Sequence, residues 1–394
     1  MHARKIKEGI EAICCVHWER RLFDALIPLP DGTSYNAYLI RGTEATALID
    51  SADPELHEDL LEQLQSVQRI DYVVSQHSEQ DHAGAIPVVL ERYPEAKVLC
   101  NEKARDMLTS HLQVSEERIQ IVQDGGTVSL GGKTLTFVYT PWVHWPETFC
   151  THIPEDRILF SCDFFGSHLA TTDLFVTDEA QVYEAAKRYY AEIMMPFRKT
   201  IVKNLDKLDG FDFDMIAPSH GPVYDRPQFI LEAYRDWTSE QMKNEVVLPY
   251  ASMHGSTEMM VKHLVDALAR HGVTVHAFDL SVTDIGKLAI ELVDAATLIV
   301  GTPTVHVGPH PAVYYASHLA NLLRPKVKYA AIIGSYGWSS KAIEQIAGLI
   351  PNLKVDVLGT VLHKGMPNES VYRELDELAA AVAKAHREDD AVVT

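Results

Sequence analysis

Several common features are missing from this chain of 394 residues, and each absence narrows the range of functions. The sequence contains no C-x-x-C pair, so zinc ribbons and rubredoxin-type iron centres, which need two such pairs, are excluded. It contains neither internal repeats nor low-complexity segments. An odd number of cysteines argues against a disulfide framework; the five are Cys14, Cys15, Cys100, Cys150 and Cys162.

Positive charge and long apolar runs are also scarce. The 35 basic residues are outnumbered by 55 acidic ones, which gives a formal net charge of -20. Such a surface repels phosphate backbones and anionic lipid, so we expect neither nucleic-acid nor membrane-surface binding. The polar N-terminus lacks an apolar signal core, and no run is long enough to span a bilayer. We therefore expect a cytoplasmic protein.

Length and composition predict two folded domains. A chain of 394 residues exceeds the size of one hydrophobic core, and 46% hydrophobic with 23% charged residues is ordinary globular usage. Residues 1–244 have the pattern of strands with interspersed helices, including one long helix over 179–208, which indicates an α+β sandwich. From residue 245, five strand–helix pairs alternate strictly and predict a doubly wound parallel α/β sheet over 245–394.

The stretch from His77 to His82, with the sequence HSEQDH, is the richest in chemically active side chains. It follows a β-branched and aromatic segment that predicts a buried strand over 70–75, so these side chains lie where a strand ends. Burying four ionisable groups without a metal or other partners is costly. We therefore interpret His77, Glu79, Asp81 and His82 as candidate metal ligands.

Three later segments each place one more candidate at a predicted strand end: His144, Asp163 and His220. A single histidine or aspartate at such a position is more often an ordinary core or surface residue than a metal ligand. Taken together, the candidates suit two metals lying roughly 3.5 to 4 Å apart. Carboxylates mixed with imidazoles favour iron or manganese, although zinc also fits. The seven divide into a set for each metal and a bridging carboxylate: His77, Glu79 and His144; Asp81, His82 and His220; and Asp163.

A different kind of site is indicated at the start of the second domain. Residues 252–257, with the sequence SMHGST, lead into a helix, and hydroxyls beside a helix N-terminus form an anion site. This loop matches neither G-x-x-x-x-G-K-[ST] nor G-x-G-x-x-G, so the phosphate of flavin mononucleotide (FMN) fits better than a nucleoside triphosphate or a dinucleotide. Two further loops follow the C-terminal ends of strands, which is where ligands bind in open α/β sheets. The candidate FMN-binding residues are Ser252, Met253, His254, Gly255, Ser256, Thr257, Thr302, Pro303, Thr304, Val305, His306, Ser335, Tyr336, Gly337, Trp338 and Ser339.

With these residues in view, the chain resembles the flavodiiron proteins over essentially its whole length. The resemblance lies in the HSEQDH loop, in the order of the later metal candidates and in the order of the three flavin loops. It implies a metallo-β-lactamase-like αββα sandwich over 1–244, followed by a flavodoxin-like domain over 245–394. It also implies two irons rather than zinc, because hydrolytic relatives usually carry histidine at the position of Glu79.

Three positions qualify the resemblance. Glu147 stands where the family usually has aspartate, so we expect altered geometry around His144. His254 replaces the threonine that is common in flavodoxins, which removes a hydroxyl from the phosphate loop. His82 is a ligand in some family members and is turned away in others, so both alternatives stay open for it.

The resemblance implies a terminal reductase. FMN would relay electrons to a non-haem diiron site that reduces dioxygen to water, nitric oxide to nitrous oxide, or both. The chain shows no rubredoxin-like or pyridine-nucleotide module, so we expect a separate donor: a rubredoxin, another reductase or a reduced deazaflavin. Family members are head-to-tail dimers in which one chain's flavin serves its partner's irons, so we expect a homodimer or a homotetramer.

Two other functions compete with this hypothesis. A zinc-dependent hydrolase of the metallo-β-lactamase superfamily, with an appended flavodoxin-like domain, would share most of the ligand pattern, but Glu79 argues against it. An electron-transfer carrier with a degenerate metal site would share the flavin domain, but candidates stand at all seven metal positions. Metal content and the activity of a Glu79→Ala variant distinguish these alternatives.

Overall fold

The computed structural model describes residues 2–393. The chain forms two compact units. The N-terminal unit comprises residues up to 189 together with 197–238, and the C-terminal unit comprises 190–196 together with the chain from 239 onward. The domain boundary expected between residues 244 and 245 falls inside a strand of the C-terminal unit, Met242–Tyr250.

The N-terminal unit is rich in short strands and helices. Its strands are, in chain order, β1 (Arg4–Lys7), β2 (Ile10–His17), β3 (Leu22–Phe23), β4 (Ile27–Pro28), β5 (Thr33–Arg41), β6 (Thr46–Ile49), β7 (Tyr72–Val74), β8 (Lys97–Cys100), β9 (Ile119–Ile121), β10 (Thr127–Ser129), β11 (Thr134–Tyr139), β12 (Phe149–Ile153), β13 (Ile158–Cys162) and β14 (Met215–Pro218). Its α-helices are α1 (His57–Gln63), α2 (Gln80–Ala83), α3 (Ile86–Arg92), α4 (Glu102–Leu112), α5 (Glu179–Tyr189), α6 (Arg198–Leu208) and α7 (Gln228–Thr238).

Two sheets form the centre of this unit. The first has the order β1-β2-β5-β6-β7-β8-β9 and the second β10-β11-β12-β13-β14, while β3 and β4 form a separate hairpin. Alternate residues of β2 serve different cores, as the two-residue side-chain period of a strand requires. Ala12 lies in the core between the sheets with Phe137 and Phe160. Ile13 packs on the other face with Leu60 of α1 and with residues of α3 and α4.

Helices also cover the second sheet. Asn204 and Lys207 of α6 donate side-chain hydrogen bonds to the carbonyls of Pro141 and Tyr139, at the end of β11, at 3.1 and 2.8 Å. The layers are therefore helix, sheet, sheet and helix. This arrangement confirms the predicted αββα sandwich.

The long helix predicted over 179–208 is interrupted. After α5, the backbone forms a π-helical turn over Tyr190–Met194 and a 3₁₀ turn over Met195–Phe197 before α6 begins. Pro196 lies in the interruption and has no backbone N–H to donate, which explains why an unbroken helix does not form. Residues 190–196 belong to the C-terminal unit, so the helix is interrupted within the segment that this unit takes from the N-terminal part of the chain.

The C-terminal unit is a parallel sheet with helices. Its strands are β15 (Met242–Tyr250), β16 (Thr274–Asp279), β17 (Ala295–Val305), β18 (Gly308–Pro309), β19 (Tyr329–Tyr336), β20 (Asp356–Lys364) and β21 (Val392–Val393). Its helices are α8 (Ser256–Arg270), α9 (Ile285–Leu292), α10 (Pro311–Leu323), α11 (Ala342–Leu349) and α12 (Glu369–Glu388).

The order of the parallel strands is β16-β15-β17-β19-β20, which is the flavodoxin-like order 2-1-3-4-5. The order reverses between β15 and β17, and ligands bind at such a switch point. This confirms the predicted doubly wound sheet. Within residues 2–393, none of the helices has the length and apolar character needed to cross a bilayer.

Candidate functional site

The HSEQDH stretch follows β7 and is held in place by neighbouring backbone. Ser51, just after β6, donates from its N–H and its hydroxyl to the carbonyl of His82, at 2.7 and 2.6 Å. The short helix α2 then ends at Gly84, where a Cβ atom would lie 2.3 Å from the carbonyl oxygen of Gln80 and 2.6 Å from the ring of Pro54. Only glycine fits this close approach, so the loop has little freedom to shift its side chains.

The structure brings four of the seven candidates together as a first group: His77, Glu79, His144 and Asp163. Each offers a ligand atom, and these atoms lie within 4.8 Å of one another. Glu79 Oε2 lies 3.1 Å from His77 Nε2 and 3.0 Å from His144 Nε2. Asp163 Oδ2 lies 3.4 and 3.5 Å from the same two nitrogens.

The other three candidates form a second group beside Asp163: Asp81, His82 and His220. Asp81 Oδ2 lies 3.3 Å from His82 Nε2 and 3.2 Å from His220 Nε2. The second oxygen of Asp163, Oδ1, lies 2.9 Å from His82 Nε2 and 3.3 Å from His220 Nε2. The two oxygens of one carboxylate therefore face different groups, as a carboxylate bridging two metals must.

The residues fit a pair of cations because their polar atoms lack other partners. His82 Nε2, Asp81 Oδ1 and both oxygens of Asp163 are buried and form no hydrogen bond of acceptable geometry. Buried polar atoms are normally hydrogen-bonded, and unpaired ones are costly. His82 Nε2 and Asp163 Oδ1 lie 2.9 Å apart without aligning for a hydrogen bond, so both atoms suit a shared cation.

Electrostatics support the same interpretation. Burial by itself lowers the pKa of His77, but the carboxylates of Glu147 and Glu79 outweigh burial and hold that pKa well above its ordinary value. Burial likewise opposes charge on His220, yet Asp163 and Asp81 raise its pKa to about 10. The carboxylates thus favour positive charge at the cluster, whether protonated imidazoles or a metal cation carries it.

The outer nitrogens of the imidazoles are fixed by hydrogen bonds. His77 Nδ1 lies 2.8 Å from Glu147 Oε1, which also accepts the backbone N–H of Ser78 at 3.0 Å. His220 Nδ1 lies 2.7 Å from the carbonyl oxygen of Ser34. The structure places the Glu147 carboxylate on His77, and the expected change of geometry around His144 stays a prediction. Such outer hydrogen bonds set the orientation of a ligand imidazole.

Sequence reasoning missed several groups around this cluster. Burial and the charges of Glu79 and Asp81 raise the pKa of Asp24, on the β3–β4 hairpin. His168 is fully buried, with Nδ1 2.9 Å from Thr33 Oγ1, and its ring centroid lies 4.7 Å from that of His220. Cys162 can group with His82 and Asp163, but burial raises the pKa of its thiol well above the ordinary value. No spacing rule could have linked these segments to the HSEQDH loop.

The FMN candidates lie at the carboxyl ends of β15, β17 and β19, which are neighbours in the sheet. The loop from Ser252 to Gly255 leads into α8, and Gly255 adopts a φ of +85° at the N-cap. Met253 and Trp338 are 51% and 76% exposed, so apolar groups here are open to a ligand. The hydroxyl of Thr257 lies 3.0 Å from that of Ser335, which ties the first loop to the third.

The second loop differs from its prediction. Residues 302–305 belong to β17, which extends to Val305 and pairs with β18 in a hairpin. The Thr302 hydroxyl is fully buried, donates to the Pro303 carbonyl at 2.8 Å and accepts the His310 N–H at 3.0 Å. That hydroxyl therefore holds the hairpin in place. The turn at the tip contains His306, with a φ of +47°.

Comparisons with known proteins agree with both units. The family model described as "ODP family beta lactamase" matches residues 33–221, and the flavodoxin model matches 248–382. A nitric oxide reductase of Moorella thermoacetica is 36% identical over 90% of each chain, and a rubredoxin-oxygen oxidoreductase of Megalodesulfovibrio gigas is 32% identical over 98% of each.

Solved structures extend this likeness to three dimensions. The rubredoxin oxygen:oxidoreductase of Desulfovibrio gigas superposes with a TM-score of 0.94 at 31% identity, covering 98% of each chain. A flavodiiron protein of Giardia intestinalis gives a TM-score of 0.90 at 27% identity, again over 98% of each chain. Fold and relatives together define an oxidoreductase that joins a lactamase-like unit to a flavodoxin unit. Within that class, the chain belongs to the flavodiiron protein family.

Proposed function

We propose that the N-terminal unit holds two iron ions and that the C-terminal unit holds FMN. The first iron would be bound by His77, Glu79 and His144, and the second by Asp81, His82 and His220, with Asp163 bridging them. The observation that carries this proposal is the position of Asp163, whose Oδ2 faces the first group and whose Oδ1 faces the second. Mixed imidazole and carboxylate donors suit iron.

We further propose that the protein reduces dioxygen to water, nitric oxide to nitrous oxide, or both. The relatives named as a nitric oxide reductase and as a rubredoxin-oxygen oxidoreductase support these substrates. The irons, when bound, would supply the coordination site and the redox change that small oxidants require. FMN would accept electrons and pass them on, because a flavin exchanges one or two electrons.

The protein's own side chains would hold this chemistry in place. Glu147 fixes His77 through Nδ1, and the Ser34 carbonyl fixes His220 through Nδ1, so each Nε2 is directed at the centre of the cluster. Burial of Asp81, His82 and Asp163 keeps bulk water away from the ligand atoms. Both reductions consume protons as well as electrons, and Asp24 is a carboxyl group at the cluster whose pKa is raised above its ordinary value, first by burial.

The electron donor and the assembly also belong to the proposal. The names of relatives mention rubredoxin and coenzyme F420H₂, so we propose a reduced rubredoxin or a reduced deazaflavin as the donor, with another reductase as the alternative. We also propose a homodimer or a homotetramer, in which the FMN of one chain reduces the metals of another. Mixing a chain that lacks FMN with a chain that lacks metal should then restore activity that neither has alone.

The decisive experiment is anaerobic reduction of the purified protein, followed by rapid mixing with dioxygen or with nitric oxide. Flavin and iron absorbance are recorded together after metal content has been measured. We expect iron close to two per chain and reoxidation of flavin by at least one oxidant within turnover. Zinc in place of iron, together with hydrolytic activity, would overturn the proposal in favour of a hydrolase.

A further inference from the structure

The C-terminal unit contains a second cluster of metal-binding side chains, made by Glu245, His276 and Glu291. Glu245 belongs to β15, His276 to β16 and Glu291 to α9. Their ligand atoms all lie within 4.8 Å of one another. None of the three residues belongs to the metal or FMN candidates described above.

Regular structure fixes the positions of these side chains. In the parallel pair of β15 and β16, Glu245 is opposite Thr274 and Val247 is opposite His276, so Glu245 and His276 project from the same face of the sheet. The alternate residues Val246 and Leu248 lie in the core on the other face. Sites built on strands and helices are held more accurately than sites on loops.

The distances are longer than those of good hydrogen bonds and suit three ligands of one metal ion. His276 Nε2 lies 3.4 Å from Glu245 Oε2 and 3.6 Å from Glu291 Oε2. A good N–H···O hydrogen bond spans about 2.7 to 3.2 Å, so both separations are long for one. A tetrahedral metal with bonds of about 2.1 Å separates its ligand atoms by about 3.4 Å. The observed separations are close to that value.

The charge and the exposure of the three side chains also suit a bound metal ion. The side chains of Glu245, His276 and Glu291 are 19%, 28% and 30% exposed, so they are largely shielded but reachable by an ion and its remaining waters. Lys243 is a nearby cation, and its ammonium lies 2.9 Å from the carboxylate of Asp294. Within the cluster itself, the carboxylates of Glu245 and Glu291 face the imidazole of His276.

We propose that Glu245, His276 and Glu291 bind a divalent transition-metal ion, with Zn²⁺ the best fit and water completing a tetrahedral shell. One imidazole with two carboxylates and an open position is a donor set that zinc accepts. The ion would join β15, β16 and α9. Because it binds only the folded unit, it would raise the stability of that unit in proportion to the logarithm of zinc concentration above the dissociation constant.

The test uses the full-length protein loaded with FMN and iron. Wild type, His276→Gln and Glu291→Gln are dialysed to equilibrium against ZnCl₂, and bound zinc, iron and FMN are measured in each. We expect wild type to hold about one more zinc per chain than His276→Gln, and zinc affinity to fall more than about tenfold in Glu291→Gln. Comparing variants removes any zinc taken up at the iron cluster. Zinc should raise the melting temperature of wild type more than that of either variant.

His263→Gln is the matched control. The His263 side chain is 27% exposed and Nε2 lies 3.0 Å from Asp376, a carboxylate that also binds Arg270. This variant removes an equally exposed imidazole with a single carboxylate partner, so its zinc binding should equal that of wild type. Retained FMN shows that a variant has folded. If His276→Gln loses FMN, the zinc binding of Glu291→Gln tests the site instead. Equal zinc binding in wild type and in the folded variant would refute the site.

Discussion

The two candidate sites of this protein are built on opposite principles. The metal cluster is made of buried ionisable side chains, and Asp163 is only 1% exposed. Burial raises the pKa of Asp163, but His82 and the other imidazoles outweigh burial and hold that pKa well below the ordinary value. The flavin loops instead rely on backbone shape, hydroxyls and exposed apolar groups such as Trp338. The first site depends on which side chains are present. The second depends more on where the chain turns.

This difference predicts how each site fails. A substitution in the metal cluster should release metal and leave FMN bound, because the ligand side chains act locally within the N-terminal unit. A backbone change in a flavin loop should weaken FMN and leave the metal content unchanged. The following variants test this separation of the two sites, beginning with the largest effect.

Asp163→Asn should have the largest effect. The substitution removes the negative charge and one oxygen from the residue that faces both ligand groups. We expect iron content to fall below one per chain and reductase activity to fall at least about 100-fold, which corresponds to about 2.7 kcal/mol of lost metal catalysis. Iron analysis, FMN absorbance and oxidant consumption measure the effect. Asp106→Asn, at a side chain that is 80% exposed, is the control. Iron retained at the wild-type level would remove Asp163 from the centre.

Glu147→Gln should have a smaller effect on the same site. Glutamine can still accept hydrogen bonds from Ser78 and His77, but it lacks the charge that makes the His77 imidazole a stronger donor. Loss of such an outer partner typically lowers metal affinity about 10- to 100-fold. Competition with an iron chelator measures that affinity. Glu155→Gln is the control, since this carboxylate accepts two hydrogen bonds from Thr134 on an exposed surface. Equal chelator sensitivity of the two variants would mean that Glu147 has only a packing role.

Gly255→Ala tests the flavin loop. A Cβ at this position meets nothing within 4 Å, so the substitution acts only through the φ of +85°. The left-handed conformation costs a non-glycine residue about 1 to 2 kcal/mol. We expect the loop to shift and FMN affinity to fall about tenfold, with iron unchanged. Gly272→Ala is a matched control, because Gly272 has a φ of +77°, equally open space and a position after the other end of α8. Both variants should lose stability, but only Gly255→Ala should release FMN in a titration.

The sequence predicted the two sites unequally, and for physical reasons. All seven metal candidates come together in the structure because each follows a strand and strand ends converge at one edge of a sandwich; that they bind metal stays a prediction. Contacts between distant segments could not be read from spacing. Glu147 lies 70 residues from His77, and Asp24 reaches the cluster from a separate hairpin. For the same reason the sequence did not show that the Thr302 hydroxyl is used inside the β17–β18 hairpin, where it accepts the N–H of His310.

A last prediction concerns a pH dependence of stability in the C-terminal unit, away from both candidate sites. His386 Nε2 lies 2.6 Å from Thr297 Oγ1 and Nδ1 lies 2.8 Å from Asn244 Oδ1, and burial lowers the pKa of this histidine to about 4. The unfolded chain has a histidine pKa of about 6.5 and takes up the proton first. Stability from the neutral form is therefore complete above about pH 6.5 and is lost as pH falls toward about 4.

His386→Gln removes this proton uptake, so the difference in unfolding free energy between wild type and variant should shrink across that interval in urea titrations. His318→Gln, at an exposed residue of the same unit, is the control. A similar change in both variants would assign the dependence to other groups.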